Sequence, residues 1–218
     1  MTAAADTAPS LPGTPFTVLH VCLGNICRSP MAERLLAARF AQRLAMTDPT
    51  TDPADLLRSC SAGTGDWHVG QAMNHGTVRQ LTLRGVSAAD FHARSLRQLK
   101  LAESDLILTA TTSQQQHIGY LEPEVAARTF PLLQFGRLAR QVAPELPLAA
   151  TVRHRGQALV TAVAALARQH PPGAADDLAD PYGCGDEVFS QVADDVDRAL
   201  SPLVTVLAGD GSPVLEGG

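Results

Sequence analysis

The chain has 218 residues, 45% of them apolar, enough for one sizeable core, whereas two domains would each be small. Only 18% of residues are charged, the net charge is −5 and no basic stripe occurs, so nucleic acid is not an expected partner. No segment approaches the ~20 apolar residues that cross a bilayer, and Met1 to Pro15 has no basic region followed by an apolar stretch. A cytoplasmic protein is expected, with export lacking a signal peptide left open.

In chain order, residues 1–14 read as a flexible tail and 15–209 as a single domain. Thr17 to Val21 is a short β-rich apolar run that ends in Cys22-Leu23-Gly24-Asn25. A helix then begins, with Ser29 as its expected cap and Pro30 in its first turn. Met31, Leu35, Leu36, Phe40 and Leu44 recur at helical spacing. The turn-rich Thr47 to Pro53 belongs to a loop insertion near 45–57. A second short strand is expected at Ser59 to Ala62, followed by the loop Gly63-Thr64-Gly65-Asp66.

A helix is expected from Asn74 to Arg84, stopped by Gly85. Asp105 to Thr109 is the clearest buried strand. Thr129 to Leu133 is a weaker one, and Pro131 makes it an edge strand or a strand end. Residues 143–156 read as a second loop insertion, with a helix following from about Gln157 to Gln169. Val188, Val192, Val196, Ala199, Leu203 and Leu207 mark a last long helix that Pro202 should kink or interrupt. Residues 210–218 read as a flexible tail. The acidic residues gathered between Asp176 and Asp197 read as solvated helix faces, Asp180 excepted. Strands alternating with helices point to an α/β fold: a doubly wound, Rossmann-like parallel sheet of about four strands with helices on both faces.

The four cysteines, Cys22, Cys27, Cys60 and Cys184, are too few and too unevenly spaced for a secreted disulfide framework. Nor does a second Cys or His pair complete a zinc site, so neither metal nor cofactor is expected. Cys22 itself ends a strand before a helix N-terminus, where backbone N–H groups and the helix dipole favour an anion or a thiolate. Gly24 and Asn25 tolerate positive φ, so the loop can turn its N–H groups inward. Arg28 offers a planar fork for two phosphoryl oxygens, and the Ser29 hydroxyl is placed to donate to the sulfur. Taken alone, Cys-x5-Arg also fits a buried strand cysteine followed by a surface arginine.

Cys22 to Glu33, Cys-Leu-Gly-Asn-Ile-Cys-Arg-Ser-Pro-Met-Ala-Glu, resembles the signature loop of the low-molecular-weight protein tyrosine phosphatases. Ser61 to Gly70 resembles the family's second loop, and Asp180 to Phe189 its general-acid loop. The resemblance implies Cys22 as nucleophile, Arg28 as phosphate clamp and Asp180 as general acid and base. The loop Leu23, Gly24, Asn25, Ile26, Cys27 and Ser29 would cradle the phosphate. Trp67 and Tyr182 match the aromatic walls of the substrate cleft. Asn25, Ser29, Ser61 and His92 match a supporting hydrogen-bond network. Cys27 falls where many members carry a second loop cysteine able to pair reversibly with the nucleophile, a buried inert thiol being the other reading. Phosphotyrosine proteins would be the substrates, and a monomer or weak dimer the working form.

Thr109-Ala110-Thr111 departs from the family's Met-Asp at that strand end. Arsenate reductases share the resemblance but need further cysteines on a mobile segment, and Thr111 to Glu122 has none. Protein arginine phosphatases are similar but carry Thr where Ile26 stands. A phosphotyrosine-binding pseudoenzyme would be expected to lose Cys22 or Asp180.

Overall fold

The computed structural model describes residues 14–146 and 151–209; the expected tail segments 1–13 and 210–218 lie outside it. Four parallel strands form one sheet in the order β2-β1-β3-β4, with β1 Phe16–Cys22, β2 Leu57–Gly63, β3 Leu106–Thr109 and β4 Thr129–Pro131. The seven α-helices of the described residues are α1 Arg28–Thr47, α2 Pro53–Leu56, α3 His75–Leu83, α4 Thr112–Leu121, α5 Leu132–Val142, α6 Val152–Ala167 and α7 Asp186–Ala208. β1 is apolar at every position except Thr17 and His20, as a strand covered on both faces must be. Its even residues Phe16, Val18 and Cys22 join the larger core, with α1, α5, α6 and α7. Its odd residues Leu19 and Val21 join a smaller core with Ile107 and with Ile118 of α4. The expected doubly wound sheet is therefore present, with unequal layers on its two faces.

From β1 the chain crosses to β2 on one side and later to β3 on the other. The carboxyl end of β1, where Cys22 sits, is the switch point at which such sheets bind ligands.

Several element boundaries differ from expectation. β2 starts at Leu57, because β1 pairs with it over seven residues. α1 runs to Thr47 and α2 occupies Pro53–Leu56, capped by Asp52, so 45–57 is only partly loop. β4 ends at Pro131, and Leu132 and Leu133 already belong to α5. Thr151 caps α6 by accepting the His154 N–H, which places Val152 to Gly156 in the helix. α7 runs unbroken through Pro202. The Arg198 carbonyl, which a fifth-residue N–H would have taken, instead accepts from Arg140 Nη2 at 3.1 Å. Buried within α7, Pro202 is thus accommodated by a neighbouring helix.

Candidate active site

The loop between β1 and α1 turns on Asn25, whose φ of 54° is left-handed. Gly24 does not take positive φ, contrary to expectation. It is glycine for space, since a Cβ there would lie 2.8 Å from His68 Cδ2. The loop's carbonyls are drawn outward by neighbours. Cys22 O and Leu23 O accept from the N–H groups of Thr64 and Gly65 at 2.9 Å, Ile26 O accepts from Asn74 N at 2.9 Å, and Cys27 O from Thr77 Oγ1 at 3.4 Å. Fixing the carbonyls outside turns the peptide N–H groups toward the inside, the arrangement of an anion nest.

α1 begins at Arg28 with Cys27 as its N-cap and no side-chain cap. Ser29 is therefore not the expected cap but the second helical residue. Its hydroxyl is 3.0 Å from Cys22 Sγ, and the Asn25 N–H donates to the same sulfur at 3.3 Å. The uncapped helix start leaves its first N–H groups without intrahelical partners at the same mouth. Cys22 is 3% exposed. The sulfur of a thiolate here would have a hydroxyl, an amide and a helix N-terminus around it.

Arg28 is buried along its stem and lies at the opposite wall. Its Nη1 donates to Leu178 O at 3.1 Å and its Nη2 meets Asp180 Oδ2 at 2.6 Å. Arg28 Nε has no partner among the described residues. Asp180 is about half exposed, and its second oxygen accepts the Tyr182 N–H at 3.2 Å, closing the turn. The approach to this turn is fastened to the sheet. Leu178 N donates to Ala110 O at 2.8 Å, and Asp177 accepts from Thr112 N at 2.7 Å at the start of α4. Asp176 is buried and ion-paired with Arg137. Asp176 and Asp177 are thus structural ties and not solvated helix acids, because the chain must be pinned before it reaches Asp180. Further along, Asp186, Asp194 and Asp197 pair with Arg79, Arg84 and Arg39.

Together Cys22, Leu23, Gly24, Ile26, Cys27, Arg28, Trp67, His68, Asp180 and Tyr182 line one cavity of about 330 Å³. Trp67 lies over Gly65, where a Cβ would sit 2.1 Å from its ring, and is 58% exposed; Tyr182 is 61% exposed. Neither is a core residue. His68 stands between them, 6.1 Å from the Trp67 ring and 6.4 Å from the Tyr182 ring. Its Nδ1 is 2.8 Å from Gln71 Oε1. His68 was not foreseen. Its only sequence signal was its place beside Trp67 in the second loop.

The network behind the sulfur includes Asn25, Ser29 and Ser61, but His92 is outside it. Phe91 and Ala93 turn inward while His92 faces out, its Nδ1 3.3 Å from Gly70 O. The backbone N–H of Arg94 takes the place next to Asn25, donating to Oδ1 at 2.7 Å. Glu33, also unforeseen, accepts from Ser61 Oγ at 2.5 Å and from Arg94 Nη2 at 2.9 Å. Cys27 is buried, and its thiol is pushed up to about 12 by burial first, then by the charges of Cys22 and Asp180. All four cysteines are free. Among the described residues no group of three or more His, Cys, Asp or Glu could hold a metal ion, and no helix is long and apolar enough to cross a membrane.

The family profile described as low molecular weight phosphotyrosine protein phosphatase matches residues 17–147. The low-molecular-weight protein-tyrosine-phosphatase YfkJ of Bacillus subtilis is 36% identical over 93 residues, 43% of this chain and 54% of that protein. Thus the match spans only about half the length of that relative. The low-molecular-weight protein-tyrosine-phosphatase of Streptomyces coelicolor is 29% identical over 195 residues, 88% of this chain and 93% of that one. Among solved structures, the low-molecular-weight protein tyrosine phosphatase of T. tengcongensis superposes with a TM-score of 0.59 at 25% identity, covering 87% of this chain and 97% of that one.

Proposed function

The chain belongs to the low-molecular-weight phosphotyrosine protein phosphatase family, and from that premise we propose that it hydrolyses phosphotyrosine in proteins through a phosphocysteine intermediate. The observation that carries this reading is the seat of Cys22. Its sulfur has the Ser29 hydroxyl at 3.0 Å and the Asn25 N–H at 3.3 Å, and it shares one cavity with Arg28 and Asp180.

In the first step the Cys22 thiolate attacks phosphorus and the P–O bond to the tyrosine breaks. The inward N–H groups and Arg28 hold the equatorial oxygens. Arg28 Nε, partnerless among the described residues, is an N–H suited to one of them. Asp180 gives its proton to the departing phenolate oxygen. An ion-paired carboxylate holds no proton to give, so Asp180 must leave Arg28 Nη2 and take up a proton from solvent before the P–O bond breaks. In the second step Asp180, now a carboxylate, takes a proton from water as that water attacks phosphorus. The S–P bond breaks, and the Ser29 hydroxyl stabilises the sulfur as it leaves with its electron pair. Trp67 and Tyr182 offer apolar walls for the aryl ring.

Steady-state hydrolysis of matched phosphotyrosine, phosphoserine and phosphoarginine peptides tests the substrate class, with rapid acid quench to trap phosphorus on Cys22. Phosphotyrosine should be preferred and the adduct should form. A preference for phosphoarginine would replace the tyrosine reading with that of an arginine phosphatase. Turnover with no trapped adduct would remove the covalent route.

A further inference from the structure

The hydrogen bonds behind Cys22 run in one direction, and the direction starts at a carboxylate outside the cavity. An ionised carboxylate only accepts. Ser61 donates its single hydroxyl hydrogen to Glu33 Oε2 at 2.5 Å, a length typical of a charge-assisted bond. With that hydrogen committed, Ser61 Oγ can only accept from Asn25 Nδ2, 2.8 Å away. The Asn25 amide is also oriented from its other end, because its Oδ1 accepts the Arg94 backbone N–H at 2.7 Å. Its Nδ2 therefore directs one hydrogen to Ser61 and the other to Ser29 Oγ at 2.9 Å. Ser29 Oγ is then an acceptor toward Asn25. Its own hydrogen has two acceptors in reach, Cys22 Sγ at 3.0 Å and Ala62 O at 3.4 Å. The sulfur is nearer and, as a thiolate, charged, so it takes the hydrogen.

Glu33 holds this chain from two sides. It fixes the Ser61 hydroxyl directly, and through Arg94 Nη2, 2.9 Å from the same oxygen, it ties down the residue whose backbone N–H orients Asn25. Both holds on the Asn25 amide end at one carboxylate, which is itself almost buried. We propose that Glu33 is a positioning residue: it sets the hydroxyl directions from Ser61 to Ser29 so that Ser29 always presents its hydrogen to the Cys22 sulfur. The inference rests on the phosphatase reading of Cys22 for its effect on turnover, though not for its effect on the thiolate itself.

Charge and positioning predict opposite signs, which makes the proposal testable. Acting through space, an anion near the sulfur disfavours the thiolate, so Glu33→Gln would ease thiol ionisation. Acting through the hydroxyl chain, it supports the thiolate, so the same change would hinder ionisation. The other titratable and charged groups lining the cavity, Cys27, Arg28, His68, Asp180 and Tyr182, are untouched by the substitution. Those close to Glu33 itself, Arg34, Arg94 and Cys60, are also retained.

The experiment compares wild type, Glu33→Gln, Ser29→Ala and the double variant, each checked for folding by circular dichroism. Thiolate absorbance is titrated in each, taken as the difference from the same protein with Cys22→Ser. In Glu33→Gln the titration should move to higher pH, and kcat for an aryl phosphate should fall about tenfold with KM little changed, the size expected for one charge-assisted hydrogen bond. Ser29→Ala should do the same. The double variant should lie within about twofold of Ser29→Ala, because both changes cut one chain. A titration that moves to lower pH, or losses that multiply in the double variant, overturns the proposal. Should Glu33→Gln not fold, Ser61→Ala cuts the same link with the carboxylate retained, and the same two outcomes decide. Because the thiolate titration needs no substrate, an enzyme inactive on phosphotyrosine defeats the functional reading and leaves this test standing.

Discussion

The two loops that meet at the cavity are built in opposite ways. The Cys22 loop is buried from Asn25 onward, with Leu23 exposed, its carbonyls bound outside and its sulfur backed by a chain of side-chain hydrogen bonds reaching Glu33. The Asp180 loop is half exposed at its acid, and beyond Leu178 it is held by a turn and by the ion pair with Arg28. On the proposed mechanism, the difference follows from what each group would have to do. A thiolate has to be stabilised before substrate arrives, so its donors are fixed in place. A general acid has to release a cation, collect a proton and reach a leaving group, so its carboxylate needs room to turn.

The largest effect expected from this contrast is at the fixed loop. Cys22→Ser should abolish turnover while a non-covalent phosphate analogue such as sulfate still binds, because the N–H nest and Arg28 are kept. Residual activity within tenfold of wild type would remove the covalent route, and lost analogue binding would show that the sulfur itself holds the loop open.

At the more exposed loop, Asp180→Asn should lower kcat for phosphotyrosine by about 10²–10⁴-fold. The loss should shrink for aryl phosphates whose leaving groups need no proton, so the dependence of rate on leaving-group pKa should steepen. An equal loss for all leaving groups would assign the acid to another residue. Asp177, the next acid in sequence, is an unsuitable replacement because its carboxylate is engaged with the Thr112 N–H.

The buried side also contains a weakness. His20 lies on β1 two residues before Cys22, 1% exposed, with neither ring nitrogen partnered among the described residues. Burial pushes its imidazole down to about 3 from 6.5. Below pH 6.5 the unfolded chain takes up a proton that the folded chain refuses. Stability complete above that value is therefore lost as pH falls toward 3. At about 1.4 kcal/mol per unit this approaches 5 kcal/mol across the window. His20→Phe should remove this acid sensitivity, read as urea midpoints at neutral pH and near pH 4. An unchanged drop in the variant would place the sensitivity elsewhere.

The smallest effect concerns recovery from oxidation. Peroxide should convert Cys22 to a sulfenic acid, which Cys27 attacks to form the S–S bond with loss of water. The Cys27 thiol, pushed up to about 12, is almost wholly protonated at neutral pH. Closure should therefore quicken as pH rises, and Cys27→Ser should slow thiol-driven recovery severalfold. Mass spectrometry that finds no Cys22–Cys27 bond after peroxide would leave Cys27 as a buried inert thiol.

What the sequence determined by itself is local. The apolar run into Cys22, the turn at Asn25 and the helical period from Met31 depend on neighbours within one turn or one strand, so strand, loop and helix could be read in order. The three motifs likewise marked Cys22, Arg28, Trp67, Asp180 and Tyr182, which the fold brings to one cavity. The tertiary structure alone decided what stands behind them. Parallel pairing of β1 with β2 sets His20 against Ser61 and Cys22 against Gly63, and that register brings the Ser61 hydroxyl within reach of Asn25. Arg94 arrives at Asn25, and Glu33 at Ser61, from other segments of the chain. His92, one residue from Phe91, faces outward. A one-residue step reverses the side of an extended chain, and no local period records which side meets a partner some seventy positions away.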